Sequence, residues 1–164
     1  MRHGVVAGET DLPRLLATLD VGRRSGRFAF VTGEWPALVD GAVARIEEAE
    51  GPTLVVDAGA AREAGAPVEL EFAWLTLTVH SSLAAVGLTA AVSRALAAAD
   101  IACNVIAGYH HDHLLVPVDR ADDAIRALRH LDSESKRAQH SDDLGLTWRF
   151  DSESKCEDVC VSWR

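Results

Sequence analysis

The sequence predicts an α+β fold made of two related strand–helix–strand–strand–helix units. Three observations lead there. Residues 70–80 are rich in β-formers and partly alternate, with Phe72, Trp74, Thr76 and Thr78 set against Leu75, Leu77 and Val79. Residues 87–99 repeat on one helical face through Leu88, Ala91, Val92, Ala95, Leu96 and Ala99, small enough to pack closely on a sheet. Two further strands, 101–106 and 114–118, flank the polar loop Gly108-Tyr109-His110-His111-Asp112, and Ala124, Ile125, Leu128 and Leu131 give 122–131 an apolar helical face.

The first half carries a blurred version of the same order. Leu12, Leu15, Leu16 and Leu19 share a face, with Thr10 placed to cap that helix and Pro13 suited to its first turn. Residues 27–32 read as a strand ending at Gly33, and Trp35 follows as a loop residue packed over the sheet. Two short strands are expected at 43–46 and 53–56. A short helix over 57–64 is closed by Gly65 and Pro67. The expected organisation is a first unit over 1–67, a second over 68–131 and a polar, mobile extension over 132–164. That extension holds Asp-Ser-Glu-Ser-Lys at 132–136 and again at 151–155, stretches too polar to bury the apolar surface that ordering requires. Between them, 144–150 has the alternation of one strand that could dock on a sheet edge.

Composition narrows the partners. The chain has 164 residues, 48% hydrophobic and 25% charged, which suffices for a core. Its net charge of -9 comes without a Lys/Arg cluster, so it has no electrostatic means of holding a phosphate backbone. The longest weakly polar stretch, 83–99, is interrupted by Ser93 and Arg94, too polar for a membrane span. Arg2 and His3 are followed by no apolar signal region. Three cysteines, Cys103, Cys156 and Cys160, fit free thiols in a reducing compartment, and a cytoplasmic location is expected.

Two stretches carry chemistry. From Thr78 to Thr89 a strand runs into a polar turn and a helix begins at Gly87. A helix N-terminus offers unpaired N–H groups and partial positive charge, Gly87 permits close approach, and Ser81 and Ser82 add hydroxyls. This suits a carboxylate, received on the backbone of Val86, Gly87 and Leu88. The competing reading is that the serines cap the turn and Gly87 relieves packing. The second stretch is Gly108, Tyr109, His110, His111, Asp112 and His113. His111 and His113 share a face in an extended chain, which neutral imidazoles could present to zinc or copper with help from His80 and Asp112. The preferred reading lines a ligand pocket, with His113 or Asp112 near the Ser82 turn. A hydrolase would use Ser82 as nucleophile, His80 or His113 as base and Asp112 as orienter, but no Gly-x-Ser-x-Gly elbow is present.

Val86-Gly87-Leu88, the Ala-rich helix and the run 99–106 resemble the ACT domain, a ferredoxin-like βαββαβ module that senses amino acids. The runs 75–83, 85–92 and 104–113, with Val116-Pro117, resemble more closely a bacterial family of tandem ACT proteins. Glu9-Thr10-Asp11-Leu12, Leu15-Leu16 and the run 28–31 resemble its first half. That family is similar to the ACT pairs of the eukaryotic cytosolic arginine sensor. The resemblance implies two ferredoxin-like units with antiparallel sheets and an amino-acid-type ligand bound between paired units. Many ACT domains place Asp-x-Pro-Gly at the turn; here Ala84 and Val86 stand at the Asp and Pro positions, so that acid's contact does not carry over. Asp100 replaces the usual glycine after the helix.

The expected function is therefore a small-molecule-binding regulatory protein without catalysis or cofactor. Its partners would be an amino acid or related carboxylate and a second copy through sheets or helices, with neither nucleic acid nor membrane. The alternatives are a metal-dependent or Ser/His hydrolase using the histidine loop, and a dimeric interaction module without ligand.

Overall fold

The computed structural model describes residues 8–79 and 81–142, with side chains through Leu131. Two βαββα repeats are present. The first is β2 (Phe28–Thr32), α2 (Pro36–Val39), β3 (Ala44–Glu48), β4 (Gly51–Asp57) and α3 (Ala58–Glu63). The second is β5 (Phe72–Leu77), α4 (Leu88–Ala98), β6 (Asn104–Ala107), β7 (Asp112–Pro117) and α5 (Ala121–Asp142). A helix, α1 (Leu12–Ala17), and a short strand, β1 (Val21–Arg23), precede them.

The two units share one seven-stranded antiparallel sheet in the order β3-β4-β2-β5-β7-β6, with β1 also on β5. The outer halves mirror each other: β3-β4-β2 against β6-β7-β5. A βαββαβ unit places a sixth element beside its first strand, and here that place is filled across the seam. β1 pairs with β5 through Val21↔Leu77 and Arg23↔Leu75, while the start of β5 meets β2 at Phe28↔Phe72. The Arg24 N–H still bonds the Trp74 carbonyl at 2.9 Å, residues 25–27 then leave the ladder, and Gly26 takes a left-handed φ of 98° that lets the chain rejoin the sheet.

Strand alternation divides the core. Ala73, Leu75 and Leu77 of β5 and Leu114 and Val116 of β7 face α1, α4 and α5 in one buried cluster with Leu15, Leu88, Val92, Leu96 and Leu128. In the first unit Val31, Leu54 and Val56 pack with Leu38 of α2 and Ala61 of α3. Phe28, Phe72, Trp74, Val55 and Leu115, the intervening residues of the strands, cluster on the opposite face. Trp74 is thus a core residue, as its strand position predicts, and Trp35 packs on the first-unit core with its indole N–H donating to the Thr32 carbonyl at 3.1 Å.

Local chemistry moves three expected boundaries. Asp11, not Thr10, caps α1: its carboxylate accepts from the Arg14 N–H at 2.9 Å, while the N–H groups of Thr10 and Asp11 are taken by Glu9. Those two backbone donors, Asp11 first, hold the Glu9 carboxyl below its ordinary range. The strand expected from 101 starts only at Asn104. After Ala99, Asp100 turns left-handed (φ 53°), its N–H reaches the Ala97 carbonyl, and Ile101 N–H closes on Leu96 at 3.0 Å. That is a Schellman end, and it turns Ile101 back into the core beside Leu96. Finally, α5 continues to Asp142 instead of stopping at Leu131. No Gly or Pro interrupts it, and a helix already nucleated by packing of its first turns against α1 and α4 propagates at little cost per residue. The first Asp-Ser-Glu-Ser-Lys run is therefore helical. The second, with 144–150, Cys156 and Cys160, lies outside the described residues, as do Arg2, His3 and His80.

Candidate functional site

The strand-to-helix turn of the second unit begins where β5 ends. Gly87 is the N-cap of α4 with φ 101°, and no side chain caps the helix. The N–H groups of the first turn therefore keep the anion-receptive character that the sequence predicts for Leu88 and its neighbours. The Leu88 side chain is 3% exposed and belongs to the core, so only its backbone faces the turn. Val86 and Leu83 stand out at 83% and 71% exposure, a wet apolar rim.

The N-terminal segment lies directly on this turn. Glu9 forms a parallel bridge with Ser81, and its carbonyl accepts from the Ser82 N–H at 2.9 Å. Approach is so close that a Cβ on Gly8 would fall 2.5 Å from the Ser82 nitrogen. A Cβ on Gly87 would fall 2.9 Å from a methyl of Leu12. Gly87 therefore admits α1, which is the packing role named beside its ligand role. The Ser82 hydroxyl accepts from the Ala84 N–H at 3.2 Å within its own turn. The sequence reading missed this strap because contacts between residues so far apart in the chain, such as Glu9 and Ser81, leave no periodic trace.

The histidine loop is a tight hairpin: Gly108 N–H donates to the His111 carbonyl at 3.0 Å, and a Cβ at Gly108 would meet that oxygen at 2.7 Å. Tyr109 is 63% exposed and meets His110 edge-on. The member that reaches the β5 turn is His111, with Nδ1 3.3 Å from the Val79 carbonyl oxygen. His113, expected near the Ser82 turn, instead faces the other side of the sheet. Strand alternation is the reason: His113 pairs with Thr76 in register and shares the face of Trp74 and Leu115, while Leu114 faces the helices. Ser82, His113 and Asp112 are thus not assembled as a triad. Among the described residues no three His, Cys, Asp or Glu side chains gather in a way that could hold a metal ion.

Around His113 the protonation state is legible. Its Nδ1 lies 3.2 Å from Trp74 Nε1 and 3.0 Å from Thr76 Oγ1. An indole N–H can only donate, so Nδ1 accepts and the ring proton sits on Nε2. Burial pushes the His113 pKa down, His111 and Arg24 push the same way, and Asp112 opposes them. The neutral ring is the native form, so the unfolded chain binds more protons below its own pKa near 6.5. The stabilisation from His113 is then complete above about pH 6.5 and is lost as the pH falls through the lower folded value. Urea midpoints measured between pH 8 and 5 should fall more for wild type than for His113→Gln; parallel curves would refute the assignment.

The first unit has its own strand-to-helix turn, and there the chain leaves a cavity of about 200 Å³. Trp35, Pro36, Val39, Pro52 and Leu54 line it with Arg45, and Glu34 stands at the same site. It exists because α2 has four residues where α4 has eleven, too few to cover the β3-β4 end of the sheet. Sequence reading passed over it, although Gly33-Glu34-Trp35-Pro36 occupies the place in the repeat held by Ser81 to Gly87. Cys103 is half-buried, and burial raises its thiol pKa to about 11, which keeps it protonated and unreactive.

Two fused βαββα repeats on one antiparallel sheet, each presenting a strand-to-helix turn at the same topological place, form a regulatory, ligand-binding type of module. The chain belongs to the ACT-domain family: ACT-domain models match residues 7–73 and 69–130. A solved structure from Vibrio cholerae, a protein of unknown function described as a possible transport protein, is 41% identical. The match covers 74% of this chain and 95% of that one, with a TM-score of 0.66. A protein from Agrobacterium tumefaciens shares the fold at 17% identity (70% and 89% covered, TM-score 0.57). So does the ligand-free regulatory subunit of aspartate kinase from Thermus thermophilus at 12% identity (70% and 96% covered, TM-score 0.53). No curated protein matches the chain. No helix among the described residues is long and apolar enough to cross a membrane.

Proposed function

We propose that the protein is a non-catalytic regulator whose ligand is an amino acid or a closely related small carboxylate. The observation that carries this reading is the uncapped N-terminus of α4 at Gly87, beside Ser81, Ser82 and the loop from Gly108 to Asp112. Its backbone donors and positive end complement a carboxylate. His111, held at the Val79 carbonyl, brings the loop to that turn. His113 supports the sheet from the other face and takes no part as a ligand group.

The first-unit cavity supports the same chemistry at the equivalent turn. Trp35, Val39 and Leu54 offer a surface for an apolar side chain and Glu34 an anion for an α-ammonium, while Arg45, whose guanidinium pairs with Glu47, would have to exchange that partner for an α-carboxylate. A cytoplasmic location accompanies this reading, since a free, half-buried thiol is at home in a reducing compartment. Ligand binding would shift how the units sit against a partner, because an effector acts through differential affinity for two arrangements.

The test is a thermal-shift screen of the full chain against the amino acids and common carboxylates, each with and without zinc. A ligand at roughly 100-fold excess over its dissociation constant should add about 2.7 kcal/mol. A flat response across the panel would remove the sensor reading, and a response to zinc alone would favour the metal alternative.

A further inference from the structure

We propose that the first-unit cavity is a binding site in its own right for a planar aromatic acid, a phenyl- or indole-sized ring bearing a carboxylate. The site is complete within one unit and needs no paired unit to close it. This rests on the reading of the protein as a carboxylate binder and adds the ring and the place. Every lining residue lies between Gly33 and Leu54, on the turn after β2, on α2, or on β3 and β4.

The walls stand before any ligand arrives. Pro36 occupies the first position of α2, where its fixed φ sets the backbone. The Trp35 indole N–H donates to the Thr32 carbonyl at 3.1 Å, so the polar atom of the ring is satisfied within the turn and its orientation is set. Gly33, left-handed at φ 96°, donates its N–H to the Pro52 carbonyl at 3.0 Å and ties the turn to β4. Leu54 is buried and closes the inner end, while Leu38 of α2 turns into the core and leaves Pro36 and Val39 to the cavity.

Shape favours a ring over a branched chain. Trp35, Pro36 and Pro52 bring an indole and two rigid pyrrolidine rings to the lining. The volume of about 200 Å³ exceeds the roughly 150 Å³ in which an apolar protein cavity takes up benzene, which admits one substituted ring or two fused ones. Stacking on Trp35 adds up to roughly tenfold in affinity beyond the area buried, an increment that an aliphatic chain lacks.

Charge places the carboxylate. Glu34 and Arg45 are the ionisable residues of the lining among the described residues, and both are exposed, so the charged end faces solvent and the apolar end faces Leu54. Arg45 is paired with Glu47 on the same strand, and the two side chains are 46% and 68% exposed. A surface pair of this kind is weak and exchanges readily. A ligand carboxylate can then take the guanidinium in the planar, two-bond arrangement that suits both groups.

Isothermal titration of the full chain compares two matched series: indole-3-acetate and phenylacetate against 4-methylpentanoate, and L-tryptophan and L-phenylalanine against L-leucine. In at least one series the ring compounds should bind about tenfold more tightly than the aliphatic member. The series that binds tells whether the ligand carries an α-ammonium for Glu34. Val39→Trp fills the cavity from a position 39% exposed and should abolish binding with unchanged far-UV circular dichroism. Arg45→Gln should weaken the acids about tenfold and leave neutral indole unchanged. Failure of every ring compound to bind overturns the proposal. So does an aliphatic member that binds as tightly as its ring counterparts, or ring binding that survives both folded variants and so belongs to the α4 turn. In these last two cases a carboxylate ligand stands, and only its ring or its place is wrong.

Discussion

Replacing Gly87 by valine is expected to destabilise the protein by about 3 kcal/mol, read as a lower urea midpoint with an unchanged slope. Two terms add. A φ of 101° is a conformation that a β-branched residue adopts only at a cost of roughly 1–2 kcal/mol. The new side chain also meets Leu12, whose methyl stands 2.9 Å from the Cβ position, and overpacking of this kind costs about 1–3 kcal/mol. The terms are separable. Leu12→Ala in the Gly87→Val background should recover the packing part and leave the backbone strain, so the double mutant should be less destabilised than the sum of the singles. Gly87→Ala, with a smaller side chain, should lose about half as much stability. If the glycine also serves ligand approach, this variant will lose the thermal shift to the panel as well. A loss for Gly87→Val below about 1 kcal/mol would show that the turn relaxes freely and that its geometry carries no information about ligand or packing.

Much of the fold was legible because it is written in local patterns. The period of Leu88, Val92 and Leu96 fixed α4, the β-rich alternation fixed β5, and Gly65 closed α3 where the sequence places it, with φ 78°. What was hidden is non-local. Nothing periodic says that β1, ahead of the first unit, lies on β5 of the second, or that Glu9 lies on Ser81. Those contacts are set by closure of the sheet and burial of Leu15 and Leu19, properties of the whole chain. The site divides in the same way. Gly87 and the histidine hairpin were visible as departures from regular pattern, whereas the side of the sheet taken by His113 depends on strand phase, and one residue of phase inverts the answer. The first-unit cavity arises from an absence, the shortness of α2, and a helix only four residues long carries too little period to be measured from sequence.

Trp74→Ala is expected to be the most damaging single truncation on the sheet face, costing about 3–5 kcal/mol in urea-monitored stability. The residue is 5% exposed, and its ring meets Phe28 at 5.6 Å and His113 at 4.9 Å between centroids. Arg24 lies over both aromatic rings, 5.4 Å from Phe28 and 5.8 Å from Trp74, so the truncation also removes part of the cation's apolar seat. Because β5 joins β1 and β2 on one side to β7 on the other, a cavity here weakens the seam that makes two units one sheet. Trp74→Phe isolates the polar part. It keeps most of the packing but removes the N–H that His113 Nδ1 accepts, which should cost about 1 kcal/mol beyond the packing loss. It should also relieve the opposition to protonating His113 and bring its folded pKa back toward the unfolded value, so the acid-side loss of stability should be smaller than in wild type. If Trp74→Phe left that pH dependence where it was, the indole would be packing only, and the neutral form of His113 would owe nothing to its neighbour's hydrogen bond.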